Sequence, residues 1–94
     1  MKTWSDYKQH VRETNPEIGK DIEAIEELSA IVGLMIQQRV SLGLTQRELA
    51  ALCGIPQSSV ARIESFRSTP NLATLLKIFA QLGLSLKVTQ TASA

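Results

Sequence analysis

The 94-residue chain has one cysteine, one histidine, and purely apolar runs of only a few residues. Each scarcity excludes something. Cys53 has no partner for an internal disulfide, which fits a reducing compartment. The apolar runs fall far short of the roughly 20 residues needed to cross a bilayer. No basic-then-apolar leader opens the chain, so a signal peptide is not expected and a cytoplasmic location is. His10 stands alone, and no His, Cys or carboxylate cluster has the spacing of metal ligands. There is no glycine-rich phosphate loop. Glu23, Glu26 and Glu27 read as a solvated helix face, and Cys53 as a buried structural thiol. The expectation is a single non-enzymatic domain without metal or cofactor. A chain of this length buries only a modest core, so a dimer would help it.

Net charge is also scarce, at +1, but it is unevenly placed. Residues 1–38 hold four basic and seven acidic side chains, a balance of −3; residues 39–94 hold six basic and two acidic, a balance of +4. The halves read either as surfaces for different partners or as ordinary solvated faces.

Trp4, Tyr7 and Val11 fall at helical spacing. Asn15-Pro16-Glu17 reads as a helix start with proline at the first position. Ile18, Ile22, Ile25, Leu28, Val32, Met35, Ile36 and Val40 then predict one amphipathic helix from Glu17 to Leu42. Gly33 is a mild break within it, and Gly43 caps its end. Thr45-Gln46-Arg47-Glu48 is a capping box opening a helix to about Leu52. Gly54 makes a turn, and a second short helix runs from about Pro56 to Glu64. Asn71 caps a helix from Leu72 to Leu82, with Leu72, Leu75, Leu76, Phe79 and Leu82 on one face. Leu84 to Thr89 alternates strictly, a strand pattern. Gln90 to Ala94 is a small, polar tail expected to fray.

The two short helices meet specific steric demands. A second helix crossing close over the first needs a small residue beneath it, which Ala50 supplies. The turn needs left-handed geometry, which Gly54 supplies. Val60 and Ile63 anchor the inner face of the second helix, and Leu49 and Ile55 fill the gap. Its outer face is left to Gln57, Ser58, Ser59 and Arg62, all hydrogen-bonding and none acidic, a face suited to a major groove.

The segment TQRELAALCGIPQSSVARIE, Thr45 to Glu64, resembles the helix-turn-helix of the Cro/cI-type, or Xre-like, repressor family. Thr69 to Gly83 is similar to that family's following helix, so the resemblance spans roughly residues 31–83. It implies an all-α, five-helix-type repressor domain and DNA-contacting roles for matching residues. Gln46, beside the cap Thr45, would meet a phosphate and brace Gln57. Gln57 would read a base edge, with Ser58 and Ser59 on bases or phosphates and Arg62 reaching a base or the backbone. Arg47 and Arg67 would meet phosphates, and Glu64 would be a structural partner. One position departs from the family. Where members commonly carry glycine after the recognition helix, this chain has Phe66. A left-handed phenylalanine is strained. The loop is therefore expected to take another shape, with Phe66 packed on the core rather than against DNA.

The flanks add two features, giving three segments: an N-terminal helical extension over 1–30, the helix-turn-helix domain over 31–83, and a strand and tail over 84–94. This layout resembles HigA-type antitoxins of toxin–antitoxin pairs. That resemblance implies a small basic ribonuclease toxin as partner and repression of the chain's own operon. The acidic front half suits a basic partner physically; the alternatives are a stand-alone regulator or an extension that merely enlarges the fold or dimer. A lone strand leaves its ladder unpaired. Pairing with its copy across a twofold axis, with Leu84, Leu86 and Val88 facing the core, would give a homodimer reading a palindromic operator.

Overall fold

A computed structural model describes residues 3–91. It contains five helices: α1 (Trp4–Thr14), α2 (Pro16–Ser41), α3 (Gln46–Cys53), α4 (Gln57–Glu64) and α5 (Leu72–Leu82). The chain divides into two compact units at the Val32/Gly33 boundary, and α2 contributes residues to both.

The first unit is a helical hairpin of α1 and the leading part of α2. Thr3 caps α1 by accepting the Asp6 amide, while the Asp6 carboxylate accepts the Thr3 amide. That backbone hydrogen bond, with the Thr3 hydroxyl, lowers the Asp6 pKa. Pro16 opens α2 as expected, its missing N–H costing nothing at a helix start. Two ion pairs tie the helices: Lys8 to Glu26 at 2.9 Å, and Arg12 to Glu23. Glu26 also accepts the Trp4 indole N–H at 3.4 Å. Residues late in α1 pair with residues early in α2, so the helices run antiparallel. Gly19 lets them close, because a Cβ there would meet the Arg12 Cα at 2.9 Å. Trp4 and Tyr7 stack with ring centroids 5.5 Å apart and stay about half exposed.

The second unit holds the end of α2 with α3, α4 and α5. Met35, Leu49, Val60, Ile78 and Leu82 are almost wholly buried, and Ala50, Cys53, Ile63, Leu75 and Phe79 complete the core. α2 passes through Gly33 unbroken and ends at Ser41, with Gly43 at φ 72 turning the chain out. The predicted single apolar stripe on α2 is only partly buried: Val32 and Met35 are covered, but Ile18, Ile25 and Val40 face solvent. On α5 the buried face is Leu75, Ile78, Phe79 and Leu82, whereas Leu72 and Leu76, expected there, are exposed. Eight of the eleven α5 residues are Leu, Ile, Phe or Ala at positions all round the helix, so spacing alone did not fix which face turned inward.

The predicted strand at Leu84 to Thr89 is absent: residues 84–91 are irregular. The physical reason is the one that made a lone strand problematic. No second extended segment exists among the described residues to form a ladder. Leu84 instead closes α5, donating its N–H to the Phe79 carbonyl at 2.9 Å behind Gly83. Leu84 and Leu86 are half-buried, while Val88 is 93% exposed. The twofold pairing of this segment thus has no counterpart in the chain's own structure. Of the tail, Ala92 to Ala94 lie outside the described residues.

Candidate nucleic-acid interface

The α3–turn–α4 unit is built from local chemistry first. Thr45 accepts the Glu48 amide at 3.0 Å, and the Glu48 carboxylate accepts the Thr45 amide at 3.0 Å. Those backbone and hydroxyl hydrogen bonds hold the Glu48 pKa below its ordinary value. α3 stops at Gly54, whose φ of 67 is the left-handed geometry that the turn requires. Ile55 then donates its N–H to the Ala50 carbonyl, which folds the turn back on α3. The crossing is made as expected: Ala50 is buried under α4, and Leu49 and Val60 are fully buried. Cys53 is buried as well, and desolvation raises its thiol pKa.

α4 begins at Gln57 behind Pro56, which offers no side-chain cap. Ser59 satisfies its own N–H on the Pro56 carbonyl at 3.0 Å. The Gln57 and Ser58 amides have no protein acceptor among the described residues. They point outward at the positive end of the helix dipole, which favours an anionic ligand. Gln57, Ser58 and Arg62 are exposed, and Ser59 is half-buried. Val60 and Ile63 turn the opposite face inward.

The one acid of α4, Glu64, is withdrawn from that surface. Its carboxylate receives the Arg39 guanidinium through two bonds, Nε at 2.7 Å and Nη2 at 2.9 Å. Arg39 Nη1 donates to the Leu44 carbonyl at 2.8 Å. The two side chains are only 13% and 6% exposed, so the pair is largely withdrawn from water. Glu64 thus proves to be the structural partner expected of it. Its partner Arg39, at the end of α2, did not stand out in the sequence. The available signal was a lone cation between Ile36 and Val40, where an apolar stripe passes.

Gln46 differs from expectation. Its Nε2 donates to Glu64 Oε1 at 3.0 Å, and no hydrogen bond joins it to Gln57. The Arg39–Glu64 pair attracts the amide because the carboxylate has an acceptor position left over. Gln46 therefore ties the start of α3 to the end of α4. Arg47 and Arg67 are exposed, and neither forms an ion pair among the described residues.

Phe66 reverses its expectation. The residue takes the left-handed conformation, with φ 60, and is 56% exposed. The loop keeps that shape because its amides are used to close α4. Phe66 donates to the Ile63 carbonyl, and Arg67 and Ser68 donate to the Arg62 carbonyl. That geometry directs the side chain away from the core. The strain of a left-handed non-glycine residue is on the order of 1–2 kcal/mol.

Among the described residues, no group of three or more His, Cys, Asp or Glu side chains could hold a metal ion. No single helix there is long and apolar enough to cross a membrane.

Two short helices joined by a left-handed glycine, with a polar outer face on the second, define a helix-turn-helix unit. The family described as helix-turn-helix matches residues 35–88, and this chain belongs to it. A Haemophilus influenzae protein, named an uncharacterized HTH-type transcriptional regulator, is 32% identical over 91 residues. That alignment covers 90% of this chain and 82% of the relative. No solved structure matches.

Proposed function

We propose that this chain is a cytoplasmic, sequence-specific transcriptional repressor that lays α4 in the major groove of operator DNA. The observation supporting this most strongly is the α4 surface. Gln57, Ser58 and Arg62 are exposed together, while the helix's only carboxylate is neutralised by Arg39. Gln57 reads a base edge, adenine being its natural partner, and Arg62 reaches a base or the backbone. Thr45, Gln46, Arg47, Ser58, Ser59 and Arg67 add contacts to bases or phosphates. The half-buried Ser59 acts through its hydroxyl near the backbone, and Gln46 does so while held on Glu64. Selection of duplexes from a random library, followed by gel shifts with Gln57→Ala and Arg62→Ala, tests the reading. Unchanged affinity in both variants would remove α4 as the reading helix.

We further propose that the repressor is a homodimer on a palindromic site, formed by pairing of residues 84–89 across a twofold axis. The supporting observation is an alternating segment whose amides find no ladder within the chain and whose Val88 is almost fully exposed. Deleting Leu84 to Ala94 should yield monomers in sedimentation; a dimeric truncation rejects the pairing.

The acidic first unit supports a second assignment, as the antitoxin of a small basic ribonuclease toxin. Residues 1–32 carry four basic and seven acidic side chains, and the exposed Trp4–Tyr7 stack offers an aromatic anchor. Co-purification with the product of an adjacent reading frame tests it; an unrelated neighbour leaves a stand-alone regulator.

A further inference from the structure

Phe66 has the only positive φ outside glycine among the described residues, and the residue is more than half exposed. A strained residue normally gains its place through packing, but the core takes little from this ring. The conformation is firmly held, through the Phe66 amide on Ile63 and the Arg67 and Ser68 amides on Arg62 at 2.9 and 3.4 Å. The ring's position is therefore set by the carboxyl end of α4. Exposed, unpaired Arg62 and Arg67 flank it in sequence. From Ser65 to Asn71 there is no carboxylate, and Glu64 is consumed by Arg39. An apolar ring in a cationic segment without acids fits a polyanion with apolar edges. In duplex DNA those edges are the deoxyribose rings between phosphates.

We propose that Phe66 is a DNA-contacting residue, packing its ring on a deoxyribose at the margin of the groove that α4 enters. The inference rests on the DNA-binding reading above. Arg62 and Arg67 meet the adjoining phosphates, and the ring excludes water from the sugar between them. Such a contact carries no charge and reads no base edge. It therefore adds affinity by the same factor on every sequence, and it leaves the salt dependence unaltered.

The test uses a duplex selected from a random library by the wild-type protein. Phe66→Gly and Phe66→Asn both tolerate the left-handed geometry. Each should melt no lower than wild type yet bind this duplex about tenfold more weakly, the order of one buried aromatic contact. The loss should be equal on single-base variants of the duplex. The slope of log affinity against log salt should not change. Phe66→Leu, which keeps an apolar contact, should restore most of the affinity. Wild-type affinity in the Gly and Asn variants overturns the proposal and leaves the ring to a protein partner. A slope reduced by about one phosphate, or a loss confined to one base, overturns it too. If the wild-type protein enriches no duplex, the DNA-binding reading itself fails and this contact fails with it.

Discussion

Removing the Glu64 carboxylate is the sharpest perturbation of the second unit. Glu64→Ala deletes three hydrogen bonds at once: two from Arg39 and one from Gln46. It leaves a guanidinium only 13% exposed, with the Leu44 carbonyl as its remaining partner. Breaking a buried pair by removing one member costs about 3–5 kcal/mol, because the surviving charge stays desolvated. Small domains have roughly 5–15 kcal/mol of stability in total. At about 4–8 °C per kcal/mol, the melting temperature should fall by at least about 12 °C. Circular dichroism melts and urea titration would measure it. The exposed Arg12–Glu23 pair, with side chains 55% and 48% exposed, provides the contrast. Glu23→Ala should cost less than about 1 kcal/mol. Removing both members, as Arg39→Met with Glu64→Leu, should recover most of the Glu64→Ala loss, because no charge is stranded. A Glu64→Ala cost no larger than that of Glu23→Ala would refute the reasoning. So would a double variant less stable than the single one.

Further outcomes are expected from the same geometry. Gln57→Ala and Arg62→Ala should each weaken operator binding by about 1–3 kcal/mol in gel shifts, with melting temperatures little changed. Arg47→Ala and Arg67→Ala should weaken binding evenly across sequences and flatten the salt dependence by about one phosphate each. Glu48 has a lowered pKa in the fold, so its capping contribution is complete above its ordinary value of 4.5 and is lost as pH falls through the lowered one. Thr45→Ala should therefore destabilise the protein near neutral pH and flatten the acid limb of a stability–pH curve. An acid limb as steep as that of wild type would count against this. Native Cys53, buried and with a raised pKa, should react with iodoacetamide only as the second unit opens, so labelling and unfolding rates should converge.

The parts of this fold that could be read from the sequence are those governed by neighbours a few residues apart. The Thr45–Glu48 box, the Asn71 cap and the Gly54 turn depend on residues within one helical turn, and all three are present. The crossing residues Ala50 and Val60 were legible because close helix packing restricts size at particular positions. What escaped needed contacts over longer distances. Arg39 and Glu64 stand 25 residues apart, and only the fold brings them together. The same pair takes the Gln46 amide, which sequence reasoning had aimed at Gln57. Alternation at Leu84 to Thr89 described a surface with two faces but not a partner for its backbone. At Phe66, side-chain cost argued correctly for strain. It did not foresee that the amides closing α4 would impose the left-handed shape regardless.

The inward turn of Glu64 separates what α4 is from what α4 says. Val60, Ile63 and Glu64 hold the helix in place, while Gln57, Ser58 and Arg62 contribute almost nothing to holding it. The outward residues are thus free to vary as a set. On the proposed reading of α4 as the groove-entering helix, exchanges at those three positions should change the DNA sequence preferred while the scaffold stays untouched.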